Sequence, residues 1–482
     1  MACRSSVIAE LAQEIAPFVT TSIMSGKQLM VPAQITFDQA ERKRLLFVAM
    51  SGVRVFDQEL LKLGLTLPGF VERSRVIASL PSLGLLTLAA HTREDWQIGY
   101  REYDALPADA ARSIAEEGFA VVALSSLTAR IDEAYALSRE LRSLGVLVVI
   151  GGLHASALPH EAAQHCDIVV KGEGELVWPQ ILTDLERGEW RPFYDSATAG
   201  LTSRFHAEQP VPRYDLLELE RYNRLTLQTT RGCPLHCSFC AASRTISPYR
   251  KKSLEQVRRE LEAILALWPR PFIELADDNT FVDKAWSRQL VALLAEHPLK
   301  WFTECDISLA DDPELLRLLG RSGCAQVLIG LESAAAESMR EVDAQDWKSR
   351  RHRSYAEQVR RIQDHGISVN GCFILGFDHD GPDIFQRTLD YIDSLELAEV
   401  QITLLTPFPG TSLRRRLESE QRLLPDAGWD RHTLFDLTFQ PARMSVDDMK
   451  SGFHRLMQEV YSEQRVSRRR KTLQHCIRNR AS

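Results

Sequence analysis

Apolar runs of strand length alternate with helical stripes twice along this chain, and that alternation most limits what the chain can fold into. The first series opens at Leu45-Leu46-Phe47-Val48-Ala49-Met50. It continues through a helical Gly84 to Ala90, an alternating Trp96 to Tyr103, and the run Ala120-Val121-Val122-Ala123-Leu124. A stripe of Ile131, Ala134, Leu137, Leu141 and Leu144 follows, stopped by Gly145. Then come Val146 to Ile150, a short helix, Ile168-Val169-Val170 and a helix through Leu185. Strands without polar alternation are buried on both faces, which means a parallel sheet covered by helices. Five such strands suit a Rossmann-like, flavodoxin-type domain over 44–190, with its ligand outside the strands' C-terminal ends.

The pattern breaks over 191–223, where Pro192, Gly200, Pro210 and Pro212 leave no clear helix or strand, so this segment is expected to be a linker. It restarts at Leu225 with longer helices. Ser253-Leu254-Glu255-Gln256 is a capping-box signal, and Asp312-Pro313 opens another helix. Strands are expected at 225–228, 271–275, 301–306, 327–331, 369–375 and 400–405. They form six βα units over 224–411, whose polar strand ends should line a site. Residues 412–482 are expected to be a helical C-terminal region. Its tail is basic, with Arg465, Arg468, Arg469, Arg470, Lys471, Arg478 and Arg480, and reads as a solvated helix or a contact for an acidic partner or anionic surface. Residues 1–43 form an extension in which Val7 to Ala12 is helical in pattern and Pro17 and Pro32 interrupt.

At 482 residues the chain requires more than one domain. A net charge of −7 argues against a dominant nucleic-acid surface. Of nine cysteines, three share one loop and six are scattered, which is not a disulfide framework and fits a reducing compartment. No basic region followed by a long apolar core opens the chain, and no apolar run has the length of a membrane helix. A cytoplasmic protein with no membrane span is therefore expected.

Between the first strand of the second series and its first helix lies Thr229-Thr230-Arg231-Gly232-Cys233-Pro234-Leu235-His236-Cys237-Ser238-Phe239-Cys240. Three thiolates on one tight loop can bind three corners of a four-iron cluster and leave the fourth iron open. A structural zinc site would want a fourth ligand, and beyond His236 no cysteine or histidine pair follows at zinc-ribbon spacing. In the first series, small residues end the strands: Ser125-Ser126-Leu127-Thr128, Gly151-Gly152 and Gly172-Glu173-Gly174-Glu175. Such residues let a backbone approach a ligand, or simply make tight turns.

The Cys-x-x-x-Cys-x-x-Cys spacing, with Phe239 before the last cysteine, resembles the signature of radical S-adenosylmethionine (SAM) enzymes. The Ser-x-Leu step followed by Gly-Gly resembles cobalamin-binding domains. Together the two halves resemble the cobalamin-dependent radical SAM family, with a partial (β/α)6 TIM-type barrel after the Rossmann-like domain. The match runs from about Leu45 to Trp429. The steps Asp277-Asp278-Asn279, Gly330-Leu331-Glu332-Ser333 and Pro407-Phe408-Pro409-Gly410-Thr411 look like those of its hopanoid, tetrapyrrole and natural-product methylases.

The resemblance implies a [4Fe-4S] cluster on Cys233, Cys237 and Cys240, with SAM on the open iron. It implies that Phe239 packs near adenine and that Asp277, Asp278 and Asn279 stand where a Gly-Gly-Glu stretch meets the methionine amine, or else cap the next helix. Glu332 and Ser333 match positions near the SAM ribose and carboxylate. Gly376 is expected to admit adenine or to make a turn. For cobalamin it implies Ser125, Leu127, Thr128, Gly151, Gly152, Gly172, Glu173 and Gly174. The usual Asp-x-His-x-x-Gly loop is replaced by Met50-Ser51-Gly52-Val53-Arg54-Val55-Phe56, without histidine, and His154 is the one nearby substitute for a lower cobalt ligand. No side chain is assigned a catalytic step, because cluster-bound SAM provides the radical. Cys305 and Cys372 could point inward as a methyl carrier or hydrogen donor, or be small buried hydrophobes. Glu304 and Asp306 could be general bases or strand ends.

The activity implied is C-methylation of an unactivated carbon in a small or lipid-like metabolite, with an electron donor such as flavodoxin or ferredoxin. The alternatives are cyclisation, ring rearrangement or oxidation with the same cofactors, or a non-catalytic cobalamin sensor. A methylthiotransferase would need a second cysteine trio ahead of the barrel, where only Cys3 and Cys166 lie.

Overall fold

The computed structural model describes residues 43–50, 52, 80–198, 209–241, 246–343 and 345–481. The expected helix near Val7, Ser51 and the rest of the first loop from Val53 to Phe56, and Gly200 lie outside them.

The first series forms one parallel sheet of β1 (Arg44–Met50), β2 (Gln97–Glu102), β3 (Val121–Ser126), β4 (Leu147–Gly151), β5 (Ile168–Lys171) and β6 (Phe193–Asp195). The order is β2-β1-β3-β4-β5-β6. Alternate residues of the central strands feed two separate cores. Leu45, Phe47, Ala49, Val121 and Val149 pack with Trp178 and Ile181 on one face. Leu46, Val48, Met50, Val122 and Val148 pack with Ile114 and Leu137 on the other. This is why these strands carry no polar alternation. β6 corrects the expectation of a plain linker, because Val169, Val170 and Lys171 pair with Phe193, Tyr194 and Asp195. The strand order reverses at β1/β3, which places the ligand-binding crevice at the C-terminal ends of these strands.

The second series gives β7 (Leu225–Leu227), a two-residue pair β8 (Thr230–Arg231) and β9 (Arg250–Lys251), then β10 (Phe272–Leu275), β11 (Lys300–Cys305), β12 (Cys324–Glu332), β13 (Ser368–Leu375) and β14 (Glu399–Leu404). Six of these make a parallel sheet in the order β14-β13-β12-β11-β10-β7, a barrel left open between β7 and β14. Leu227, Ile273, Leu275, Trp301, Val327, Ile329, Val369, Phe373 and Ile402 face the helices and fill their core. By strand alternation, Thr226, Glu274, Phe302, Glu304, Gln326, Asn370, Cys372 and Gln401 face the lumen. β8 and β9 pair antiparallel, and the cysteine loop is the excursion between them.

Local signals act as the sequence suggests at one helix and only in part at another. Asp312 caps the helix Pro313–Arg321 by accepting from Leu315 N–H. Ser253 caps Leu254–Leu267, but Gln256 does not return the bond. Its side chain instead accepts from Gln209 N–H and donates to Glu260.

The C-terminal region touches both domains. Met449, Phe453, Met457 and Val460 of the helix Val446–Val460 pack into the barrel's outer core. Trp429 packs instead against the Rossmann-like domain. The Pro-x-Pro-Gly-Thr turn serves the same docking: Thr411 caps the helix Ser412–Ser419, and Gly410 (φ +80°) leaves room for Ala157, which an added Cβ would meet at 3.2 Å. The basic tail is helical over Glu463–Ala481. Among the described residues no helix is long and apolar enough to cross a membrane.

Trp301 is fully buried in the helix-side core, with its indole N–H on the carbonyl of Ser322. Trp301→Ala should lower stability by about 3–5 kcal/mol through lost burial and a cavity. Chemical denaturation followed by circular dichroism checks this, with a smaller loss for Trp301→Phe.

Candidate functional site

The cysteine loop starts where β7 ends and is held by a single carboxylate. Asp277, just past β10, is buried and accepts from Thr229 N–H (2.7 Å), Thr230 N–H (2.8 Å) and the hydroxyls of Thr229 and Thr280 (3.0 Å for the latter). Further along, Ser238 N–H donates to the Val342 carbonyl and the Ser238 carbonyl accepts from Leu413 N–H. The loop is thus pinned at three separate points, two in the barrel and one on the C-terminal region.

Cys233, Cys237 and Cys240 all carry free thiols. Among the described residues no three His, Cys, Asp or Glu side chains converge as ligands of one metal ion. The thiols are nevertheless neighbours, since Cys237 feels Cys240 and Cys233 feels Cys237. Burial pushes the Cys233 thiol up and the Cys237 thiol to about 12. Soft thiols crowded on one loop, protonated when free, suit a multi-iron cluster whose binding releases those protons. Asn279 adds a donor, its Nδ2 lying 4.0 Å from Cys233 Sγ while also bonding Asp306 at 2.8 Å.

The other expected SAM residues divide. Asp277 is committed to the loop. Asp278 is half-buried beside Cys233 and Glu304. Glu332 ends β12 in the left-handed region (φ +64°) at a break in register with β13. It forms a buried ion pair with Lys348, whose ammonium also lies 3.2 Å from the Gly330 carbonyl. Burial alone would pull Lys348 down, but Glu332 and Cys237 raise it above its ordinary value. Lys348 belongs to the short helix Trp347–Arg351, and no local motif marks it. Ser333 uses its Oγ on Ala335 N–H. Phe239 meets Phe377 edge-on with ring centres 6.1 Å apart. Gly376 (φ +111°) donates to Asp380, and a Cβ there would meet Phe439, so the structure explains it by a turn and packing.

The lumen separates the remaining candidates. Cys305 is on the helix side, in the outer core, and does not point inward. Cys372 faces the lumen, close enough to Glu332 and Glu304 to feel their charge. Asp306 caps the turn Ile307–Asp311 by accepting from Ser308 N–H, which leaves it a structural part. Glu304 stands inside the barrel, reached by water yet enclosed by protein. That enclosure, with the carboxylates of Glu274 and Asp278 nearby, pushes its pKa up to about 8.

At the Rossmann-like ends, Ser125, Gly151, Gly152, Gly172, Glu173 and Gly174 line one cavity of ≈ 330 Å³. Its far wall is Gln228, Arg231 and Ala276 of the barrel, and Leu88 and Trp178 add apolar surface. Gly152 (φ +101°) is needed there, because a Cβ would sit 3.2 Å from Ser125 Oγ. This glycine-lined cradle at the strand ends fits a nucleotide-sized arm of cobalamin. Leu127 and Thr128 are not among its lining residues. Leu127 is 41% exposed, and the Thr128 hydroxyl meets His154 Nδ1 at 3.3 Å. His154 is not a lower cobalt ligand. Both its ring nitrogens are engaged, by Thr128 and by Glu161 (3.0 Å), and Trp429 covers it edge-on at 5.1 Å.

Ion pairs close the seam between cavity and cluster loop. Glu173 bonds Arg250 on β9 (2.8 Å), and Arg231 on β8 pairs with Glu175 and approaches Glu173 (3.7 Å). Burial opposes ionisation of Glu175, but Arg231 holds it below its usual range. The sequence contains no local signal for this clasp, because the partners lie more than fifty residues apart.

Two outcomes follow from the geometry. Asp277→Ala strands two buried N–H donors, so iron and sulfide bound after reconstitution should fall severalfold, while Asp277→Asn should retain more. A folded Glu304 prefers the neutral form, whereas the unfolded chain ionises near 4.5. The wild type should therefore lose stability between about pH 5 and pH 8, as ionisation in the fold is forced. Glu304→Gln should raise the melting temperature at pH 9 and leave it nearly unchanged at pH 5, as read by calorimetry.

Three family models match the chain: "B12 binding domain" over residues 75–182, "Radical SAM superfamily" over 227–392 and "Domain of unknown function (DUF4070)" over 411–482. Bacteriochlorophyllide d C-12(1)-methyltransferase of Chlorobaculum tepidum is 27% identical over 403 residues, covering 83% of this chain and 86% of that protein. Hopanoid C-2 methylase of Rhodopseudomonas palustris is 25% identical over 370 residues, covering 73% and 67% respectively. The structure of the radical SAM methyltransferase TsrM from Kitasatospora setae, with cobalamin and a [4Fe-4S] cluster bound, shares the fold with a TM-score of 0.63, 17% identity and coverage of 86% of this chain and 89% of that one. The glycine-lined cavity, the three-cysteine loop and these likenesses agree, and the chain is a member of the cobalamin-dependent radical SAM enzymes.

Proposed function

We propose that this chain is a C-methyltransferase acting on an unactivated carbon of a small or lipid-like metabolite. The observation that carries the reading is the shared wall: Gln228, Arg231 and Ala276 line the glycine-rich cavity while standing directly before the cysteine loop or at the end of β10. Two cofactor sites so joined need one substrate position between them. When bound, the cluster and SAM supply a 5′-deoxyadenosyl radical, and cobalamin supplies the methyl group.

The chain's own residues hold, orient and exclude water. Cys233, Cys237 and Cys240 would hold the cluster, with Asn279 donating toward Cys233. Lys348 and Glu332, beside Cys237, offer opposite charges to an amino acid's carboxylate and ammonium, and Asp278 offers a second acceptor for the ammonium. Phe239 would pack beside the adenosyl group. Ser125, Gly151, Gly152, Gly172 and Gly174 would cradle the nucleotide arm. Glu173 does so indirectly, by fixing Arg250 and Arg231. The described residues place no histidine in the cradle. A flavodoxin or ferredoxin in the cytoplasm is the expected electron source.

The test is anaerobic incubation of reconstituted protein with SAM deuterated at its methyl group, cobalamin, a reductant and a metabolite extract. A product carrying the labelled methyl, formed together with 5′-deoxyadenosine, supports the proposal. A new product without the mass shift would replace it with cyclisation or oxidation. Cys233→Ala, Cys237→Ala and Cys240→Ala should each abolish 5′-deoxyadenosine formation while cobalamin absorbance of the purified protein persists.

A further inference from the structure

Below the cysteine loop, the barrel wall carries polar groups that no step above uses. Gln326 on β12, Asn370 on β13 and Gln401 on β14 are 0%, 1% and 8% exposed. Their strand neighbours Val327, Val369, Val400 and Ile402 fill the outer core, which turns the three amides toward the lumen. Ser368 stands opposite Gln326, and Glu399 opposite Asn370. Each amide thus sits two residues beyond its predecessor's partner, and the three form a diagonal across consecutive strands. Among the described residues, both polar atoms of Gln326, Oδ1 of Asn370 and Oε1 of Gln401 have no hydrogen-bond partner, and neither does Oγ1 of Thr226 on β7.

An unmade bond at a buried polar group costs about 1–3 kcal/mol. Several along one wall are retained against stability unless something else completes them. The floor beneath is closed: Arg224 pairs with Glu274 and lies over the Phe302 ring at 5.6 Å. Glu304 stands in the water-accessible space inside the barrel, near the carboxylates of Glu274 and Asp278, and becomes an anion there above about pH 8. Above that pH a carboxylate entering would meet the like charge of Glu304. An amide, hydroxyl or ammonium group would find acceptors, and the amides can rotate to present either end.

We propose that Gln326, Asn370 and Gln401 form the recognition belt for a hydrogen-bond-donating, non-anionic arm of the substrate, held deep in the barrel below the carbon that reacts. The belt rests on the barrel being the reaction chamber of the methyl transfer proposed above. Binding measured apart from turnover keeps the two ideas separable.

The experiment uses the full chain carrying its cluster and cobalamin, with hexanamide, hexylamine and hexanoate as probes in ligand-observed NMR. At pH 9, where Glu304 is ionised, hexanamide and hexylamine should bind, and hexanoate should not. Asn370→Leu and Gln326→Met should each weaken hexanamide about tenfold, the worth of one buried hydrogen bond, with iron and cobalamin content unchanged. Both variants should also melt higher than wild type, because an orphaned polar group is removed. Glu304→Gln should admit hexanoate, a gain that misfolding cannot produce. Equal binding of hexanoate and hexanamide to the wild type would overturn the proposal. So would hexanamide affinity unchanged in both belt variants, or a lower melting temperature in both, which is the mark of a purely structural belt. Protein that methylates nothing yet shows these probe preferences would refute the methyl-transfer reading and keep the belt.

Discussion

The buried carboxylate of Asp277 is the constraint on which the site depends. Two backbone N–H groups and two hydroxyls converge on it, and they fix how the chain leaves β7. Everything functional nearby inherits that geometry. Thr230 and Arg231 immediately form β8, which pairs with β9 and sets both ends of the cysteine loop. Burial pushes the pKa of Asp277 up, against the pull of its hydrogen bonds. A carboxylate in that balance is a rigid acceptor, well suited to holding a loop and poorly placed to serve a ligand.

The second constraint is two-sided burial of parallel strands. It forces functional groups to the strand ends, and both sheets obey it: the glycine cradle follows β3, β4 and β5, and the cysteine loop and Asp277 follow β7 and β10. The barrel departs from it in one respect. Its inner wall is polar, while its outer wall carries the hydrophobic core. The lumen is therefore a chamber with unspent hydrogen-bonding capacity.

The two sheets were legible from the sequence because burial on both faces writes unbroken apolar runs into every long strand. The cluster cysteines were legible because one loop must present all its thiols within a few residues. β6 was not: Phe193-Tyr194-Asp195 is too short to show a period, and its pairing is supplied by β5. Lys348 and the Arg231 clasp were invisible because their partners are remote in the chain. Asp277 was visible as a residue but not as a role, because an aspartate binding its own loop looks, in one dimension, like a residue kept for a ligand. Gly376 takes the turn that was one of its two readings. Cys305 and Cys372 show the limit of strand periodicity, since an error of one position exchanges lumen for core. Here Cys372 is inside and Cys305 outside.

The clasp of Glu173 and Glu175 with Arg231 and Arg250 has a consequence for how such a chain can be recombined. The N-terminal domain ends its ligand loop on side chains that belong to the hairpin carrying the cysteines. Trp429, from beyond the barrel, completes the same domain at His154. A chimera that exchanged the N-terminal domain alone would cut three sets of contacts at once. A transplantable unit would have to carry the glutamate loop, the β8–β9 hairpin and the Trp429 segment together. Sequence drift in any one of these three segments is thereby tied to drift in the other two.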